Sequence, residues 1–152
     1  MIDSKQLVQD TKHAESTYQN LGKILDLLQS TDETESNSAS DSLENCGAPR
    51  SEDVAFLLDQ LKSAQSPRVY WCSTLLGRLG ADGAGLAERS LIQAKLCKAI
   101  NQETLELSAR ERAAWAVGML GRVDSDCRAL LTLQVEDAPA RLKRLLETAL
   151  AR

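Results

Sequence analysis

Ser66-Pro67-Arg68-Val69-Tyr70-Trp71-Cys72-Ser73-Thr74-Leu75-Leu76-Gly77-Arg78-Leu79-Gly80 is the stretch that decides the fold, because much of it returns as Ala109-Arg110-Glu111-Arg112-Ala113-Ala114-Trp115-Ala116-Val117-Gly118-Met119-Leu120-Gly121. Gly77, Leu79 and Gly80 recur as Gly118, Leu120 and Gly121, a period of 41 residues. That period falls in the window of about 40 to 47 residues occupied by two-helix solenoid repeats. Each copy reads as one amphipathic helix, with Val69, Cys72, Ser73, Leu76 and Leu79 at helical spacing in the first and Ala109, Ala113, Ala116, Val117 and Leu120 in the second. Ser66 with Pro67 marks one helix start, and Ser108 with Glu111 three residues on forms a candidate capping box for the other. Gly77 and Gly118 sit inside these helices, where each costs about 0.5 to 1 kcal/mol relative to Ala. The same cost at the same register in both copies predicts close approach of a neighbouring helix. Gly80 and Gly121 stand where left-handed C-terminal caps belong.

Working outward, Val54, Leu57, Leu58 and Leu61 give a helix over about 52–63 that leads through a two-residue turn, Ala64-Gln65, into the helix at Ser66. The run Ala81-Asp82-Gly83-Ala84-Gly85 lacks the order of a phosphate-binding loop and reads as a turn between repeats. A helix over about 86–102 with Leu91, Ala94, Leu96, Cys97 and Ile100 pairs with the helix from Ala109 to Leu120. The third pair covers about 126–136, with Cys127, Leu130, Leu131 and Val135, and 139–151, with Leu142, Leu145, Leu146, Ala149 and Leu150. Short connections make the helices of each pair antiparallel neighbours. The expected fold is all-α: a short right-handed α-α superhelix, or solenoid, of three antiparallel helix pairs at about 51–80, 86–121 and 126–151.

The run Ala109-Arg110-x-x-Ala113-Ala114-Trp115-Ala116-Val117-Gly118-x-Leu120-Gly121 resembles the second helix of a HEAT-type repeat, and the run from Arg68 to Gly80 is similar to it more loosely. The likeness covers about residues 51 to 152 and implies an armadillo-type, HEAT-like repeat domain used as a scaffold for binding another protein. It also implies that Arg110, at the family's Arg position, makes a structural contact between repeats with an acid or a carbonyl.

Two segments precede that domain. Residues 1–29 read as an N-terminal helix, with Leu7, Thr11, Ala14, Tyr18, Leu21, Leu25 and Leu28 at the alternating spacing of a coiled-coil seam. The stripe from Tyr18 to Leu28 packs onto the first repeat or forms half of an imperfect one, or else the helix mediates self-association. Residues 30–50 hold a single large aliphatic residue, Leu43, among Ser, Asp and Glu. Little apolar surface is available there to offset the entropy of ordering, so the segment is expected to be a disordered acidic linker.

Net charge is −4 over 152 residues, but residues 1–50 have four basic against nine acidic side chains while the remainder is close to neutral. The repeat body therefore lacks the broad basic footprint of a nonspecific nucleic-acid binder. No apolar window is long enough to span a membrane, and the N-terminus has no secretory pattern, so the expected location is cytoplasmic with no membrane partner. Cys46, Cys72, Cys97 and Cys127 are widely separated and His13 is the sole histidine. No zinc site is expected, and Cys72, Cys97 and Cys127 read as buried hydrophobes rather than disulfide partners or ligands. Cys46 reads as exposed and free.

The scarcity of histidine removes most nucleophile–base mechanisms. HEAT-type metal hydroxylases use repeated His-Glu pairs, and this chain has none. No catalytic residue, metal or cofactor is therefore assigned. The candidate protein-binding residues are Tyr70, Trp71, Thr74 and Arg78, which step away from the apolar stripe of their helix, and Arg112, Trp115, Met119 and Arg122 on the second. Trp, Tyr, Arg and Met are enriched at protein interfaces. An alternative place for both tryptophans is the crevice between stacked helices. The rival functional reading, carried by the resemblance alone, is a bilin-lyase-like or other chromophore-handling enzyme, or a subunit of one. It requires an apolar pocket lined by Cys72 or Cys97.

Overall fold

A computed structural model describes residues 13–152. All regular elements among these residues are helical. The chain divides into two compact units, Met1–Pro49 and Arg50–Arg152.

In the first unit, residues 13–19 are helical and a turn at Asn20 leads into α1, Leu21–Leu27. The sequence predicts one helix across residues 1–29; the part up to residue 12, with Leu7 and Thr11, lies outside the described residues. Asn20 makes the interruption: its backbone N–H is shared between the carbonyls of Ser16 and Thr17, and its side-chain amide donates to Ser16 O at 2.9 Å. Residues 30–50, expected to be disordered, hold a second helix, α2, Glu33–Asn45. Two local effects account for it. The Asp32 carboxylate accepts the N–H groups of Thr34 and Glu35 at 2.9 and 3.4 Å, satisfying two of the orphan donors of the first turn. Glu33 and Glu35 in that turn also sit favourably at the positive end of the helix dipole. The lone aliphatic residue, Leu43, is fully enclosed, as is Ala39, and α1 packs on α2 with Leu21 and Leu25 also buried. Cys46, expected at the surface, is buried at the C-terminal end of α2 and directs its thiol at Leu43 O.

The second unit opens with a single 3-10 turn, Ser51–Asp53, held by Arg50, whose backbone N–H and guanidinium both donate to the Asp53 carboxylate at 2.9–3.0 Å. Six helices follow: α3 Val54–Gln60, α4 Ser66–Gly77, α5 Leu86–Ile100, α6 Leu107–Met119, α7 Ser125–Val135 and α8 Ala140–Leu150. Helix α6 is central, packing against α4, α5 and α8; α3 lies on α4, and α7 on α8 and α5. Val69, Cys72, Leu75 and Leu76 of α4 and Ala109, Ala113, Ala116 and Val117 of α6 are completely buried. Gly80 and Gly121 adopt φ of 67° and 96°, the left-handed region that glycine enters without penalty. Both end their helices as the spacing predicts.

The helix starts differ from expectation. Ser66 is the first residue of α4, and its hydroxyl instead accepts the N–H of Glu106 at 2.8 Å. The Ser108–Glu111 capping box does not form, because α6 begins at Leu107 and Glu111 is drawn to Arg141. The buried face of α5 is also displaced: Leu91 is 50% exposed and Ala94 is exposed, while Ile92, Leu96, Cys97, Ala99 and Ile100 are enclosed with Gln93. Gln93 belongs there because its amide lies 3.3–3.5 Å from the carbonyls of Val117, Gly121 and Arg122, supplying donors to the C-terminal end of α6. On α7, Leu130 is exposed although its spacing placed it on the stripe with Cys127 and Leu131, which are buried.

The cysteines give the largest correction. Cys97 of α5 and Cys127 of α7 form a disulfide, with Cα atoms 6.6 Å apart. The sequence alone predicts both to be unpaired; the α5–α7 packing, which the cysteine spacing does not reveal, brings them together. Cys72 is a free, completely buried thiol.

Candidate functional site

Tyr70 on α4 and Arg112 and Trp115 on α6 are brought together by the packing of these two helices. Tyr70 is one turn above Thr74, whose hydroxyl donates to the Tyr70 carbonyl at 2.9 Å. Arg112 and Trp115 are three residues apart and share a helix face. Arg112 Nη2 donates to the Tyr70 hydroxyl at 2.8 Å, and the guanidinium carbon lies 4.8 Å from the ring centroids of both Tyr70 and Trp115. Two cation–π contacts and one hydrogen bond therefore fix one guanidinium. The three side chains remain partly exposed and line a pocket of about 440 Å³ with Ser108, Glu111, Arg141 and Leu145. Arg141 Nε donates to Glu111 Oε2 at 3.0 Å across the gap from α8 to α6.

Trp115 also reaches α4. A Cβ placed on Gly77 would stand 2.5 Å from Trp115 Cζ3 and 3.1 Å from Ala116 Cα, so the absence of a side chain at 77 is what lets the indole and the α6 backbone settle there. The indole fills the crevice between helices with one edge and lines the pocket with the rest.

The other candidates lie apart from this pocket or are enclosed. Trp71 is half-buried and packs edge-on against Tyr70, with centroids 5.4 Å apart, but does not line the pocket. Thr74 is 6% exposed, so its position against the Tyr70 carbonyl supports the helix rather than a partner. Arg78 is half-buried, Met119 is 39% exposed, and Arg122 is exposed with its carbonyl near Gln93. Arg110 donates from Nε to the Ile100 carbonyl at 2.7 Å; the acceptor is a carbonyl, but the contact lies within the α5–α6 pair and not between repeats, because Ile100 ends the helix that leads into α6.

Sequence reasoning missed Ser108, Glu111, Arg141 and Leu145 as pocket residues. The 100° step could have placed Ser108 and Glu111 beside Arg112 and Trp115 on α6. No comparable signal links Arg141 and Leu145 to them, since that depends on how α8 lies on α6.

The thiols needed for chromophore handling are enclosed: Cys97 is in the disulfide, and Cys72 is 0% exposed. Burial raises the Cys72 pKa from 9.0 to about 12, against the opposing influence of Arg68. Among the described residues no three His, Cys, Asp or Glu side chains are grouped so as to hold a metal ion, and no helix is long and apolar enough to cross a membrane. Comparisons with models of known families, with curated proteins and with solved structures give no match.

Proposed function

We propose that residues 50–152 form a HEAT-like helical solenoid that acts as a non-catalytic protein-interaction module, binding another protein through the surface where α4, α6 and α8 succeed one another. The 41-residue period, the recurrent helix-ending glycines and the serial packing of α4 on α6 and α6 on α8 support the architecture. The observation that carries the functional reading is the Tyr70–Arg112–Trp115 cluster on the pocket wall. Its residue types are those that dominate binding energy at protein interfaces, and their mutual contacts hold them in place before a partner arrives.

The test is capture of partners from the source cell by the tagged 152-residue chain, by Arg112→Gln and by Trp71→Ala. Arg112→Gln should lose the specific partners while keeping helicity and melting temperature, and Trp71→Ala should retain them. Equal capture by all three proteins refutes the assignment of this surface. The cytoplasmic location belongs to the same proposal and has its own measurement. Disulfides persist mainly in oxidising compartments, so a cytoplasmic chain should carry Cys97 and Cys127 as thiols, and trapping with an alkylating reagent in intact cells reads their state directly.

A further inference from the structure

The pocket wall presents a cation that is held in place yet has no acid to pair with. Arg112 makes one hydrogen bond, to the Tyr70 hydroxyl, and no ion pair among the described residues. A guanidinium has five N–H donors in a rigid planar fork, so most of its donors are left for a visitor. Its rotation is restricted by two ring faces, each with its centroid 4.8 Å away. Much of the ordering cost that a flexible arginine meets on binding a carboxylate is therefore met before binding.

The rest of the lining limits which anion fits. Arg141 is a second guanidinium, 76% exposed at its side chain, and Glu111, 14% exposed, is its partner. Two cations against one carboxylate leave the pocket with a surplus of one positive charge. A single carboxylate matches that surplus and the bidentate geometry of a guanidinium fork, whereas a phosphate dianion would face repulsion from Glu111 with no further cation on the wall. Trp115 and Leu145 supply apolar surface beside these charges. Arg112 already lies over one face of each ring, and its charge would repel a cationic guest placed beside it.

We infer that the pocket is a carboxylate-reading site for an acidic, apolar peptide segment of a partner protein, with a Glu or Asp side chain on Arg112 and a neighbouring aliphatic side chain against Trp115 and Leu145. This rests on the protein-interaction reading above and specifies the chemistry of the partner.

The experiment uses the ¹⁵N-labelled 152-residue chain and follows the Arg112 Nε–H and Trp115 indole N–H resonances. The probes are acetyl-Leu-Glu-Leu-Glu-amide, the same peptide with Gln for both Glu, and inorganic phosphate. The Glu peptide should shift both resonances saturably by about 10 mM, the scale of a weak short-peptide complex. The Gln peptide should bind roughly tenfold more weakly, the factor carried by a charge-assisted hydrogen bond over a neutral one. Arg112→Lys, which keeps the charge and loses the fork, should weaken the Glu peptide by a similar factor. Arg141→Gln, at an exposed site, should weaken it by a few-fold and serves as the control if Arg112→Lys melts early. No shift with the Glu peptide, equal binding of the Gln peptide, or saturation by phosphate at equal concentration would each overturn the carboxylate assignment. Partner capture that still requires Arg112 in any of those cases would leave the interaction module standing.

Discussion

Gly77 and Gly118 occupy the same place in the 41-residue period, yet adding a methyl group to each should have opposite effects. At residue 118 a new Cβ would meet Ala149 at 3.7–3.9 Å, ordinary van der Waals distance. Gly118→Ala should therefore keep only the benefit of higher helix propensity, about 0.5–1 kcal/mol of added stability. At residue 77 the same methyl would lie 2.5 Å from Trp115 Cζ3, 3.1 Å from Ala116 Cα and 3.2 Å from Ala116 Cβ. The indole cannot simply swing away, because Arg112 is stacked on its face, and the α6 backbone at Ala116 must shift as well. Overpacking of this kind costs about 1–3 kcal/mol, so after the propensity gain Gly77→Ala should destabilise by about 0.5–2 kcal/mol. Both tryptophans lie in the second unit, so urea unfolding followed by tryptophan fluorescence reports on that unit alone. With a urea slope of about 1–3 kcal/mol/M, the two variants should have midpoints on opposite sides of the parent. A Gly77→Ala protein as stable as Gly118→Ala would refute the close α4–α6 approach on which the candidate site is built.

Opening the Cys97–Cys127 disulfide, by reducing agent or by Cys97→Ser with Cys127→Ser, releases a loop spanning 30 positions. The loop-closure relation gives about 3–4 kcal/mol, so the melting temperature of the second unit should fall by about 12–30 °C; an unchanged melt would show that the bridge contributes nothing. Cys72 is protonated in the folded state up to pH about 12, while its unfolded counterpart ionises above 9.0. The sign follows: stability is unaffected by this group below pH 9 and falls above it by about 1.4 kcal/mol per pH unit. Cys72→Ala should flatten that slope, and a thiol reagent at pH 8 should leave Cys72 unmodified until the chain is unfolded. Ser73 is wholly buried with a hydroxyl that has no hydrogen-bond partner among the described residues. Ser73→Ala, which installs the residue found at its repeat counterpart, Ala114, should stabilise by about 1 kcal/mol in the same urea assay; a loss of stability would mean that the hydroxyl is satisfied in solution.

The parts of this molecule that were legible in its sequence are those set by short-range geometry. The α4 and α6 stripes and the glycines at 80 and 121 follow from 3.6-residue periodicity and from the φ values that glycine alone adopts freely. Helix α2 was hidden because composition averages over a segment, and one enclosed Leu43 with one well-placed Asp32 does not change an average. The face of α5 was misjudged because apolar residues run nearly all round it, so spacing alone could not choose between Leu91 and Ile92. The Cys97–Cys127 bond and the Arg141–Glu111 pair depend on which helices become neighbours, information carried by packing and not by any local pattern. Within the candidate site, Tyr70, Arg112 and Trp115 were found from the helical step, whereas Arg141 and Leu145 required the position of α8.

The hydroxyl of Ser66 receiving the Glu106 amide has a consequence for how the chain can change in length. That tie joins residues 40 apart, and the Tyr70–Arg112 hydrogen bond joins residues 42 apart. Together they lock the phase of α6 to that of α4 at both ends of one turn of α4, as two pins fix the angle between two gears. A one-residue insertion between Ser66 and Tyr70, or between Glu106 and Arg112, would turn one pin about 100° away from its socket. Extra residues in the Ala81–Gly85 turn would leave both pins engaged, so that turn is where this chain can lengthen without losing its pitch.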